Sequence, residues 1–190
     1  MLVEVHLLGT ASLIQNRRTP QSGVPIPSLS TPLQRAEDRT YRDLTGALCL
    51  QARAVKALMI GAARRPACAA LGITPDHVHT GLRVVGDTMR LYRPDGSTPL
   101  YEFEVDTRDV GLGRMGRGSR DCPSVPAWSA CVHVRDISAG FSVCDINLLL
   151  AVGGAEIGFG DRRAELGGRH GTFEVTGIHQ VVPRRPSEVR

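Results

Sequence analysis

Ser142 to Val175 reads SVCDINLLLAVGGAEIGFGDRRAELGGRHGTFEV, and the order of patterns within it decides the fold class. Ser142 can cap a helix, and Asp145 three positions on can return the hydrogen bond as a capping box. Val143, Ile146, Leu149 and Leu150 recur at helical spacing, so one face of a helix running to Val152 is built for burial. Gly153 and Gly154 predict its end, because glycine enters the left-handed conformation at little steric cost. Farther on, Thr172, Glu174 and Thr176 alternate with Phe173, Val175 and Gly177, the period of a half-buried strand.

Between helix and strand lies a loop of glycine and arginine. Gly158, Gly160, Gly167, Gly168 and Gly171 permit backbone N–H groups to turn outward as a nest, while Arg162, Arg163, Arg169 and His170 bring donors that suit phosphate. A polyanion cradle is one reading of this loop. The other is a surface connection whose glycines serve tight turns and whose arginines are solvated or paired with Asp161, Glu156 and Glu165.

Upstream, Trp128 to Arg135 alternates cleanly: Trp128, Ala130, Val132 and Val134 against Ser129, Cys131, His133 and Arg135. This predicts a central strand with a polar outer face. Before it stands a second basic segment, Gly111 to Pro126, GLGRMGRGSRDCPSVP. Its Gly111, Gly113 and Gly116 match a dinucleotide fingerprint formally, but that motif must open a helix aimed at the pyrophosphate. Gly118, Ser119, Pro123 and Pro126 forbid such a helix. A flexible loop carrying Arg114, Arg117 and Arg120 is expected instead.

Toward the N-terminus, Leu2 to Leu8 reads as a strand with Val3, Val5 and Leu7 on one face and Glu4 and His6 on the other, open face. Gly9 to Asp38 is rich in Pro, Ser, Thr, Gln and Arg and predicts a long loop or arm that reaches a neighbouring subunit or a nucleic acid. Gln51 to Arg65 carries a helical stripe of Ala52, Val55, Leu58, Met59 and Ala62, with Arg53, Lys56 and Arg64 on a solvated face. Asp76 to Val85 and Met89 to Tyr92 are expected as strands, with turns at Gly86-Asp87 and Pro94-Asp95-Gly96 before strand material from Leu100 to Val110. His77 and His79 with Asp76 lack a third ligand at a metal-binding spacing, so neither a metal nor a cofactor is expected. A polar tail runs from Pro183 to Arg190.

The coarse order is strand, arm, helix, meander, strand, helix, strand. It predicts an α+β fold, a ferredoxin-like βαββαβ sheet with an elaborated middle, over residues 1–182 as one domain. If the arginines of 114–120 and 162–169 converge beside the strand at Trp128 to Arg135, they border one groove.

The 190 residues are 42% hydrophobic, enough for one sizeable core. A net charge of +4 and a pI of about 9.0 favour an acidic partner. Lys56 is the only lysine, so arginine carries nearly all the basic charge. The five cysteines are widely spaced and never form a C-x-x-C pair, which predicts free thiols in a reducing, cytoplasmic setting. Met1 to Leu8 lacks the pattern of a signal peptide, and no stretch is long and apolar enough to span a bilayer.

The closing pattern of Gly158, Gly160, Asp161 and Arg163, then Gly168, Arg169, Gly171, Phe173 and Val175, resembles the terminal glycine-rich loop and strand of the RAMP superfamily. That superfamily includes CRISPR effector backbone subunits and crRNA-processing endonucleases. The wider layout is similar to small phage and prophage proteins of the group. Leu44-Thr45-Gly46 precedes the helical stretch Ala54 to Ala63, and Arg120 precedes Pro126-Ala127-Trp128.

The resemblance covers about Asp43 to Ile178, with its specific motif in the last loop. It implies a ferredoxin-like fold that binds single-stranded RNA or DNA, with subunits assembling side by side as a homo-oligomer or within a ribonucleoprotein. The processing endonucleases carry a general acid/base histidine near the first helix, and nothing aligns with it here. The leading expectation is a non-enzymatic binder that uses Arg114, Arg117, Arg120, Gly158, Gly160, Arg162, Arg163, Gly168, Arg169 and His170. Tyr41, Tyr92, Tyr101 and Phe159 are the few candidates for base stacking. An endoribonuclease using His6 or His170, and a viral or filament assembly protein connected through the 9–38 arm, are the alternatives.

Overall fold

The computed structural model describes residues 1–17, 30–111 and 117–182, with the backbone alone at 110, 111 and 117. The fold is α+β with antiparallel sheets. Strand β1 (Leu2–Gly9) buries Val3, Val5 and Leu7 and turns Glu4 and His6 to the opposite face, as its alternation predicts. It lies between β8 (Ser129–Asp136) and β9 (Phe173–Gln180), both antiparallel to it. Two short segments, β4 (Leu82–Val84) and β5 (Thr88–Tyr92), run along the other edge of β8, Leu82 opposite Asp136 and Tyr92 opposite Ser129. They form one interrupted strand, broken where Gly86 takes φ +85°. The edge strand β3 (Cys49–Gln51) completes the order β3-β5-β8-β1-β9.

Helices α2 (Ala52–Ala62) and α5 (Val143–Glu156) cover one face of this sheet. The buried stripe of α2 is Ala52, Val55, Leu58, Met59 and Ala62, as expected from spacing. The capping box of α5 is also as predicted: Asp145 N–H donates to Ser142 Oγ at 3.1 Å, and Ser142 N–H donates to Asp145 Oδ2 at 2.8 Å.

The expected end of α5 is corrected. Gly153 and Gly154 lie inside the helix and are buried. A Cβ on Gly153 would stand 2.1 Å from a Leu58 methyl, and one on Gly154 would stand 2.3 Å from the Phe173 carbonyl oxygen. The glycines let α2 and β9 approach the helix closely, and that packing outweighs the ~1 kcal/mol by which glycine disfavours a helix interior.

Two further segments differ from expectation. The Asp76–Val85 segment is not a strand throughout: Pro75–Gly81 forms α4, following the short α3 (Pro66–Ala69). Thr74 caps α4 with Pro75 in its first turn, a local helix signal that the alternation obscured. The helix therefore carries Asp76, His77 and His79 instead of presenting them along a strand. Lys56 is not a solvated residue either. Its Nζ donates to the carbonyls of Val78 at 2.5 Å, His79 at 3.1 Å and Leu82, acceptors in the last turn of α4 and just beyond it.

A second sheet has three strands, ordered β2 (Leu13–Ile14), β7 (Arg117–Val125) and β6 (Glu104–Gly111); β6 falls on the strand material expected from Leu100 to Val110, whereas β2 and β7 lie in segments expected to be arm or loop. Strands β6 (Glu104–Gly111) and β7 (Arg117–Val125) pair from Glu104 opposite Ser124 to Gly111 opposite Arg117. The basic segment is thus mainly a strand, because its carbonyls and N–H groups find partners on β6. Part of the supposed arm folds back as well. Strand β2 (Leu13–Ile14) pairs with β7, and helix α1 (Pro32–Glu37) is capped by Thr31 and contacts both β6 and β7. Residues 18–29 of the arm and the tail from 183 lie outside the described residues.

The anchor of α1 is Arg35, whose Nε donates to the fully buried carboxylate of Asp121 at 2.5 Å, where Thr107 also donates at 2.6 Å. Near the junction of the sheets, buried Trp128 packs on Phe159 and Phe173 and donates its indole N–H to Ala11 O at 2.9 Å. Phe159, stacked on Phe173 with centroids 4.9 Å apart, is core and is not a base-stacking residue. Among the described residues, no helix is long and apolar enough to cross a membrane.

Candidate nucleic-acid interface

The loop from Gly158 to Gly171 is folded on its own backbone. Phe159 N–H donates to Gly171 O at 2.9 Å, Gly171 N–H to Ser12 O at 2.8 Å and Asp161 N–H to Ile14 O at 2.8 Å. Gly158 N–H donates to Gly153 O, Gly168 N–H to Arg163 O and His170 N–H to Arg162 O. These donors face inward, so the expected outward nest is not built from them. The glycines serve close approach: a Cβ on Gly168 would stand 1.7 Å from Arg162 O, and one on Gly171, at φ +70°, would stand 1.9 Å from Phe159 O. Gly160 (φ +78°) meets the backbone of Ile14 in the same way.

What the loop offers outward is side chains. Arg162, itself at φ +49°, and Arg169 are exposed, and neither guanidinium makes a hydrogen bond or ion pair among the described residues. Arg163 is engaged, donating to Glu165 at 2.9 Å.

His170 is held from both sides. Arg108 Nη2 lies 3.0 Å from Nε2, and a guanidinium can only donate, so Nε2 is the acceptor. Nδ1 therefore carries the proton and donates to Ser12 Oγ at 2.8 Å. Burial, joined by the Arg108 charge, lowers the pKa of His170 from its ordinary value and favours the neutral ring.

Arg120 on β7 and Arg162 on the loop border one groove, together with Ile14, Asp106, Arg108, Cys122 and Asp161. Two basic segments far apart in the chain thus meet beside Arg108. The groove also holds acids: Asp106 pairs with Arg108, and Asp161 lies 3.9 Å from Arg120, a long contact between partly exposed groups. Arg114 lies outside the described residues, and of Arg117 only the backbone is placed, opposite Gly111.

Arg108, Asp106 and Ser12 were not anticipated as partners of the site. The alternation of Asp106, Thr107 and Arg108 on a predicted strand was enough to put Asp106 and Arg108 on one face, but nothing local pointed that face at residue 170. Of the stacking candidates, Tyr101 is about half exposed and lies apart from this groove, and Tyr92 borders a different groove on the open face of the large sheet. Compared with known proteins, the chain matches no family model and no curated protein.

Proposed function

We propose that the protein binds single-stranded nucleic acid, RNA or DNA, along its phosphate backbone, on a ferredoxin-like sheet of the kind found in RAMP proteins. The strand order supports that framework. β1, α2, the interrupted β4–β5 strand, β8, α5 and β9 follow one another as βαββαβ, and their spatial order is β9, β1, β8, then β4–β5. The observation that carries the binding proposal is the meeting of Arg108, Arg120 and Arg162 around one groove, with Arg169 exposed on the same loop. Guanidinium groups match phosphate oxygens bidentately, and a phosphate would compete with Asp161 only across its 3.9 Å contact to Arg120.

Recognition is electrostatic and largely independent of sequence, since aromatic residues make up 4% of the chain and Phe159 is buried. A binder is favoured over a nuclease at this groove because both nitrogens of His170 are already engaged, by Ser12 and by Arg108. Binding along a strand would bring subunits side by side.

Fluorescence anisotropy with labelled oligo-dT and oligo-U at two salt concentrations tests the proposal. Affinity should fall steeply with salt, and Arg162→Ala with Arg169→Ala should weaken binding to all sequences alike. Each lost contact should reduce the log–log salt slope by about 0.7. Absence of binding at low salt, or binding indifferent to salt, refutes it.

A further inference from the structure

The open face of the large sheet carries a second cluster, on the side away from α2 and α5. Register builds it. Glu4 stands opposite His133 on β8 and opposite His179 on β9, and His6 stands opposite Cys131. Side chains directly opposite on one face of an antiparallel pair lie within contact distance, so three strands contribute to one patch.

The Glu4 carboxylate is shared: Oε1 is 3.0 Å from His6 Nε2, and Oε2 is 3.0 Å from His133 Nε2. The donor atoms of Glu4, His6 and Cys131 all lie within 4.8 Å of one another. Beside them the His179 ring meets the His6 ring edge-on at 5.9 Å, across Gly177, where a Cβ would sit 3.4 Å from His6 and 3.5 Å from His179 Nε2. A groove of about 540 Å³ opens directly onto His6, Cys131 and His179, with Tyr92, Asp95 and Thr176 on its walls.

We propose that Glu4, His6 and Cys131 form a binding site for a divalent transition-metal ion, Zn²⁺ by preference. One carboxylate oxygen, one imidazole nitrogen and one thiolate sulfur make a donor set of mixed softness, which suits zinc and excludes the oxygen-seeking Mg²⁺ and Ca²⁺. Tetrahedral bonds of the usual zinc lengths put neighbouring donors about 3.3–3.8 Å apart, so the present spacing needs only side-chain rotation.

Binding replaces the hydrogen bond between His6 Nε2 and Glu4 with two bonds to the ion: the imidazole changes tautomer, its proton passing from Nε2 to Nδ1 by exchange with solvent, and the Cys131 thiol gives its proton to solvent. His133 then holds the free oxygen of Glu4 from outside, the role that outer partners play at zinc sites. The fourth position faces His179 and the groove, where a water or an oxygen of a bound molecule can enter. Three protein ligands with an open position is the arrangement of reactive zinc sites rather than of purely structural ones.

The test uses the full chain stripped with a chelator and titrated with Zn²⁺ against a chromogenic competitor, then with Co²⁺ followed by absorption. One equivalent should bind, and the cobalt form should show visible bands of a four-coordinate ion and a thiolate-to-cobalt charge-transfer band. Cys131→Ser should remove that band. His6→Ala should abolish binding in the competitive range. His133→Ala should weaken it about 10–100-fold with the band retained. His77→Ala, on α4, should change nothing.

Failure of the parent to bind an ion overturns the proposal, as does a parent cobalt spectrum without thiolate charge transfer, which needs no variant to fold. An unchanged spectrum in Cys131→Ser, or unchanged affinity in a folded His6→Ala, overturns it equally. No nucleic acid enters the experiment, so its outcome is independent of the binding groove.

Discussion

Gly153 and Gly154 are neighbours in one helix, and alanine should be nearly neutral at the first and destabilising at the second. Both substitutions gain the same local term, about 1 kcal/mol in favour of alanine in a helix interior. At 153 the new methyl meets the far end of Leu58, with Cδ2 at 2.1 Å and Cγ at 2.8 Å, and that side chain can swing to another rotamer. The cost and the gain then nearly cancel, leaving a change within about 1 kcal/mol. At 154 the methyl meets the Phe173 carbonyl oxygen at 2.3 Å and the Phe173 ring at 2.8 Å. The oxygen is backbone, so relief requires β9 to move away from α5, against its pairing with β1 and its packing against Trp128.

Overpacking of this kind costs about 1–3 kcal/mol, and a backbone neighbour places it at the upper end. Gly154→Ala should therefore lose about 2 kcal/mol after the helical gain. With a urea m-value near 2 kcal/mol/M, the midpoint should fall by about 1 M, while that of Gly153→Ala moves by less than about 0.5 M. Trp128, the single tryptophan, is buried against Phe159 and Phe173 and reports the transition by fluorescence. A Gly154→Ala protein as stable as the parent, or equal losses in both variants, would refute the packing argument.

Other outcomes follow from individual contacts. Arg35→Met should destabilise by about 3 kcal/mol in equilibrium unfolding, because it strands the buried Asp121 carboxylate and loosens α1. Burial alone would raise the pKa of Asp121, but hydrogen bonds from Thr107 and Arg35, with the charges of Arg35 and Arg39, hold it below the usual carboxylate range. Its contribution is therefore present above about pH 4 and is lost as pH falls through the lowered folded value. Asp121→Asn should accordingly show a shallower loss of stability in acid than the parent. Asp43, bonded by the Thr45 hydroxyl, Arg90 and the N–H groups of Thr45 and Ala47, has its pKa lowered to about 2. A carboxyl-carbon NMR titration should find that midpoint, and one near 4 would contradict the geometry. Ser142→Ala should cost about 1 kcal/mol in the same unfolding assay, since it removes the acceptor for Asp145 N–H.

Elements with strong local periods were legible in the amino-acid order. β1, the stripe of α2, the capped start of α5, the alternation of β8 and the onset of β9 all appear where spacing and caps put them. Local pattern also assigned faces correctly, with Glu4 and His6 opposite Val3 and Val5, and Cys131 and His133 opposite Val132 and Val134. Where the pattern misled, a distant partner decided. Gly153 and Gly154 look like a helix stop until Leu58 and Phe173 press against them. The segment of β7 looks like a loop until β6 pairs with it, and the loop glycines look like an anion nest until the N–H groups of Gly171 and Asp161 find the carbonyls of Ser12 and Ile14.

The same division runs through both candidate sites. Residue types and faces are local properties, written in spacing. Proximity is not: Arg108 meets His170 only because the glycine loop hydrogen-bonds to the chain at Ser12 and Ile14, beside the second sheet, and Glu4 meets His133 and His6 meets Cys131 only because two strands distant in the chain, β1 and β8, pair in one register. That register is a collective result of core burial and ladder hydrogen bonds, since a slip of one residue would turn every side chain to the other face.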